Sequence, residues 1–109
     1  MMNSLLRLAG ILLLCSSLNA YAGLAIALNS AEGTISLINT DTYEVSGKAS
    51  VCKEPHHLLP TPDDKSVIVA CAASNQLVFL DPLTGQEQRR ARDISDPYQL
   101  GYSPNRKWF

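Results

Sequence analysis

The feature that most constrains this chain is a repeat. Pro97 follows Pro55 by 42 positions and Pro104 follows Pro62 by the same 42, so nothing is inserted or lost between the copies. They read Glu54-Pro55-His56-His57-Leu58-Leu59-Pro60-Thr61-Pro62-Asp63-Asp64-Lys65 and Asp96-Pro97-Tyr98-Gln99-Leu100-Gly101-Tyr102-Ser103-Pro104-Asn105-Arg106-Lys107. Each is a short apolar strand entering a turn. Proline presets φ at the second turn position, and Asp or Asn tolerates the tight geometry that follows. The register extends upstream: Ile26 matches Ile68, Ile35 matches Leu77, Leu37 matches Phe79, Ile38 matches Leu80 and Asn39 matches Asp81. A period of this length marks stacked units, none of which buries its apolar face alone.

Within one period the chain alternates short strands with turns. Leu24-Ala25-Ile26-Ala27-Leu28 and Thr34-Ile35-Ser36-Leu37-Ile38 are apolar strands separated by a turn holding Gly33. Residues 43–50 form a more polar third strand, suited to a solvent-facing edge that must resist pairing with other chains. The second copy adds a strand over 57–61, then strands over 66–71 and 76–80. These last two are apolar on consecutive positions, as strands covered on both faces are. A polar outer strand follows over 86–92. Helical periodicity is absent after residue 22.

Four short strands per ~42 residues predict an all-β fold, a β-propeller of four-stranded antiparallel blades. About two blades are present. Residues 24–50 supply the three outer strands of blade 1, residues 55–92 the whole of blade 2, and residues 97–109 the start of blade 3. Residues 23–109 are thus expected to be a partial propeller, its remaining blades coming from a longer chain or from other copies.

Residues 1–22 have a different character. One positive charge (Arg7), an apolar run from Leu8 to Cys15 and a closing Ala20-Tyr21-Ala22 predict a secretory signal peptide cut after Ala22. The run is shorter than the ~20 residues a spanning helix needs, so no stable membrane insertion is expected after cleavage. Cys15 follows Leu14 rather than a small residue, which argues against lipidation. The expected location is periplasmic or secreted. Without the signal the chain carries eight Lys and Arg against ten Asp and Glu. That balance gives no case for nucleic acid as a partner.

Candidate residues for chemistry are few. His56 and His57 enter the innermost strand near one mouth of the central channel, where a neutral imidazole could ligate a metal or heme iron. Neighbouring strand residues point to opposite faces, so only one of the two is expected to face the channel. The plainer reading is a surface or packing histidine, since the third copy has Tyr98 and Gln99 there. Asp63 and Asp64 read as turn formers, and Arg89, Arg90 and Arg92 as a solvated edge. Cys52 and Cys71 are an even pair in an exported chain, which permits a disulfide. Residue 56 is expected opposite residue 71, with Cys52 in a loop that could fold back over Cys71. The alternative is that Cys71 is simply a small buried hydrophobe. No nucleophile with its base, phosphate loop or Cys-x-x-Cys heme attachment site is present.

The order Pro55 to Lys65, the apolar strand Val67 to Cys71, and Leu77-Val78-Phe79-Leu80-Asp81-Pro82-Leu83-Thr84-Gly85 resemble the YVTN-type β-propeller repeats. The resemblance covers residues 24–109. Asp64 and Arg106 stand where those repeats carry a turn glycine, so both turns must accept a side chain. The wider group holds secreted YncE-like proteins, lactonase-like enzymes and heme d1-binding domains of the nitrite-reductase type. It implies a closed ring of seven or eight blades. For this chain it implies an exported scaffold for an unidentified ligand or protein partner. A heme d1-handling redox protein and a lactonase-like hydrolase are the alternatives.

Overall fold

The computed structural model describes residues 23–109. The predicted signal peptide, with its expected cut after Ala22, lies outside the described residues.

Seven strands form two antiparallel sheets. The first is β1 (Leu24–Asn29), β2 (Thr34–Asn39) and β3 (Val45–Ser50), in that order. The second is β4 (Pro55–Pro60), β5 (Val67–Cys71), β6 (Gln76–Leu80) and β7 (Glu87–Arg92), again in chain order. Every connection joins neighbours, which is the meander of a propeller blade. The one helical turn among the described residues is a 3-10 turn at Ala72–Ser74, which ends at Asn75 in the left-handed region (φ 55°). No helix among the described residues is long and apolar enough to cross a membrane.

The consecutive apolar residues of β5 and β6 sort onto two faces. Val69, Cys71, Val78 and Leu80 join Ile35 and Val51 in one core, with Ile26, Leu28 and Leu37 of the first sheet packed against it. Ile68, Ala70, Leu77 and Phe79 form a second core on the opposite face, covered by Ala91, Leu100 and Tyr102. Alternation of side chains explains the division, and register preserves it, since Val69 pairs Val78 and Ile68 pairs Phe79. Burying each Val or Leu side chain contributes about 1.5–3 kcal/mol.

The repeat extends to the backbone. Left-handed residues, Asp93 excepted, fall in pairs 42 apart: Gly33 with Asn75, Tyr43 with Gly85, Glu54 with Asp96, and Asp64 with Arg106. Their side-chain caps repeat too. Asn39 Oδ1 accepts from the N–H groups of Asp41 (2.8 Å) and Thr42 (3.2 Å), and Asp81 Oδ1 accepts from those of Leu83 (2.7 Å) and Thr84 (3.1 Å). Turn chemistry is therefore conveyed by residue type and spacing, and it sets strand ends with little help from packing.

Three expectations change. The inner strand begins at Pro55 rather than at residue 57. Cys71 pairs with Pro55 rather than residue 56, because a bulge between Pro55 and His57 leaves His56 out of the ladder. Residues 97–109 contain no strand; their turn is formed, with Ser103 N–H bonded to the Trp108 carbonyl at 3.0 Å.

Candidate functional site

The bulge decides what the two histidines do. An extra residue in one strand leaves that residue unpaired and re-aims its side chain. His56, exposed, stacks its ring on Tyr98 with centroids 3.6 Å apart and planes tilted by 31°. His57, half-buried, accepts a hydrogen bond at Nδ1 from the Leu100 N–H, 3.0 Å away. Both rings therefore meet the same neighbouring segment, where strict alternation predicts opposite faces. Tyr98 is itself the counterpart of His56 one repeat on, so equivalent positions of successive blades touch.

That bond also assigns the His57 tautomer. A neutral imidazole accepting at Nδ1 carries its proton on Nε2. Ligation of iron or another metal by His57 in this arrangement requires the Leu100 bond to break or the Nε2 proton to leave. Metal-bound histidines ordinarily hold the opposite pattern, donating from the nitrogen that does not ligate. Among the described residues no group of three or more His, Cys, Asp and Glu converges on a point.

The segment joining the sheets is bound on both sides. Cys52 and Cys71 form a disulfide with Cα atoms 5.9 Å apart. Val51 N–H donates to the Gly33 carbonyl at 2.9 Å, and the Ser30 hydroxyl donates to the Pro55 carbonyl at 2.5 Å. Lys53 N–H donates to Ser74 Oγ at 3.2 Å, and Ala72 N–H to the Glu54 carbonyl at 3.1 Å. Gly33 is required here: its φ is 68°, and a Cβ on it would stand 2.5 Å from the Cys52 carbonyl oxygen. An open cleft of about 470 Å³ lies over this strap, bordered by Ser30, Glu32, Ser50, Cys52 and Glu54.

Arg90 is the residue that sequence reasoning undervalued. It is not a solvated edge residue. Its Nη2 donates to the Val51 carbonyl at 2.9 Å and its Nη1 to Gln76 Oε1 at 2.6 Å, while Nη2 pairs with Glu87 Oε2 at 2.6 Å. Arg90 thus ties the outer strand of the second sheet to the strap. The available signal was its counterpart Lys48, a cation at the same place in the first outer strand, which pairs with Glu32. Hydrogen bonding by Arg90 holds the Glu87 carboxyl below its ordinary range, and the same bond raises Arg90. Arg89 points the other way, with its guanidinium carbon 3.4 Å from the Phe79 ring centroid.

The turn acids divide their work. Asp63 Oδ1 accepts from the Thr61 hydroxyl (2.7 Å) and the Lys65 N–H (3.0 Å). The Thr61 bond first, then the Lys65 bond, holds its carboxyl below the usual value. The Asp64 side chain makes no hydrogen bond or ion pair among the described residues.

This arrangement of blades is found in known proteins. Hydrazine synthase of Kuenenia stuttgartiensis aligns with a TM-score of 0.65 at 22% identity, over 80% of this chain and 25% of that one. Dihydro-heme d1 dehydrogenase NirN, solved in complex with DHE, aligns with a TM-score of 0.65 at 16% identity, over 80% of this chain and 19% of that one. At such identities the likeness is one of fold, and the chain spans a quarter or less of those structures. No curated protein matches the sequence. The model of the YNCE-like beta-propeller family matches residues 7–109, so the chain belongs to that family.

Proposed function

We propose that this chain is an exported, periplasmic β-propeller scaffold that binds a ligand or protein partner and carries out no catalysis of its own. One observation supports this most directly: most of the side chains singled out as candidates for chemistry are committed to holding the fold. His57 caps the Leu100 amide, Asp63 and Asp81 cap turns, Glu87 pairs with Arg90 along β7 while Arg90 reaches the Val51 carbonyl, and Cys52 is bonded to Cys71. A catalytic group must be free to exchange protons or attack, and none of these is. The rim formed by His56 and Tyr98 leaves aromatic surface open to a partner. Further blades would cover the open faces of the two sheets.

The test uses the full chain produced with its leader in an exporting bacterium. Periplasmic recovery of protein beginning at Gly23 is expected, with no visible absorbance band on heme addition and no lactone hydrolysis above background. A heme band lost in His57→Ala would replace the scaffold reading with cofactor handling. Lactone turnover would replace it with hydrolysis.

A further inference from the structure

Asp64 and Arg106 line one cleft. Both hold φ at 57°, in the left-handed region that glycine occupies without penalty. They are equivalent positions of successive turns, 42 apart. Their backbone N–H groups close the turns onto the Thr61 and Ser103 carbonyls (2.9 and 2.8 Å), but neither side chain takes part. In the first turn the Asp63 side chain does so, and in the second that of Asn105 does, accepting from the Ser103 hydroxyl (2.6 Å) and the Lys107 N–H (3.1 Å). The Asp64 and Arg106 side chains have no hydrogen-bond partner among the described residues and do not pair with each other. Opposite charges left without partners on the lining of one cleft suit a ligand that carries both.

The cleft between them measures about 480 Å³ and is walled by Pro60, Pro62, Tyr102 and Pro104. That volume lies within the roughly 300–1,000 Å³ of small-molecule sites. It offers a carboxylate on one turn, a guanidinium on the other, and rigid apolar surface between. We infer that this cleft binds a small zwitterion of the α-amino acid class, its ammonium toward Asp64, its carboxylate toward Arg106 and its apolar side chain against Tyr102 and the prolines. Guanidinium and carboxylate match in planar geometry, which favours Arg here over Lys. The site goes beyond the scaffold reading and does not depend on it, because it lies at the turn end of the blades, away from the His56–Tyr98 rim.

The test is calorimetric titration of the full-length, exported protein with L-leucine, N-acetyl-L-leucine and L-leucinamide. The first carries both charges and the others one each. L-leucine is expected to bind at least about tenfold more tightly than either, the loss for removing one charged hydrogen-bonding partner. Asp64→Gly and Arg106→Gly should each abolish that preference while melting at the same temperature as the parent or higher, since glycine relieves the backbone. The exchanged pair Asp64→Arg with Arg106→Asp should recover part of it. Equal affinities for the three probes, or no saturable binding of L-leucine, would overturn the inference. So would a preference that survives both glycine variants.

Discussion

Gly85, in the turn between β6 and β7, sits on Leu37 of the other sheet so closely that a Cβ added to it would collide with Leu37 Cδ2 and stand 3.2 Å from Cδ1. Its φ is 72°. One repeat earlier the same position is Tyr43, left-handed at φ 59° and 85% exposed, with open space where Gly85 has Leu37. The two positions share a backbone and differ in what faces them. Gly85→Ala should therefore destabilise by about 2–4 kcal/mol, the sum of overpacking and a left-handed side chain. Tyr43→Gly should be neutral or stabilising. Urea denaturation measures both. Leu37→Ala placed in the Gly85→Ala background should recover part of the loss, and strict additivity would contradict the contact.

The disulfide ties the strap at Cys52 to the end of β5 at Cys71, across a sequence separation of 19. Loop-closure entropy assigns such a bond about 3 kcal/mol. Adding reductant to exported protein should lower the melting temperature, and Cys52→Ala should lower it by a similar amount and remove the response to reductant. An unchanged melting curve under reductant, with two free thiols counted by mass spectrometry beforehand, would refute the bond. Cys71→Ser should be worse than Cys52→Ala, because residue 71 is fully buried and a hydroxyl there must be stripped of water.

Acid should weaken the fold by a stated route. Asp63 and Glu87 both have folded-state values below the ordinary ones, the first through the Thr61 hydroxyl and the second through Arg90. Groups shifted downward stabilise the folded state above their unfolded values, around pH 4 for carboxylates, and the stabilisation is lost as pH falls through the lowered folded values. The urea midpoint should accordingly fall as pH drops from about 5 toward 3. In the Asp63→Asn, Glu87→Gln double variant that slope should flatten. A slope unchanged from the parent would assign acid sensitivity to other carboxylates.

The histidines should separate by mechanism. His57→Ala leaves the half-buried Leu100 amide without its acceptor, a loss of about 1 kcal/mol with faster hydrogen exchange at that amide. His56→Ala removes a stack on Tyr98 worth roughly 0.5–1.5 kcal/mol beyond the area it covers, and should leave Leu100 exchange alone. Equal exchange rates at Leu100 in the two variants would count against the bond.

Much of the architecture could be read from residue order because its causes are local. The 42-residue spacing of Pro55 and Pro97, the caps Asn39 and Asp81, and the alternating faces of Val67 to Cys71 each depend on neighbours a few positions away in the chain or on strand geometry alone. What the tertiary structure decided depends on how one sheet lies on another. The bulge that aims His56 at Tyr98, the reach of Arg90 to the Val51 carbonyl, the partnership of Cys52 with Cys71, and the convergence of Asp64 and Arg106 on one cleft all join residues 19–42 positions apart. Strand periodicity says which face a side chain takes. Only the stacking of successive blades says what it meets there, because a contact across sheets is set by twist, register and offset together rather than by any one segment.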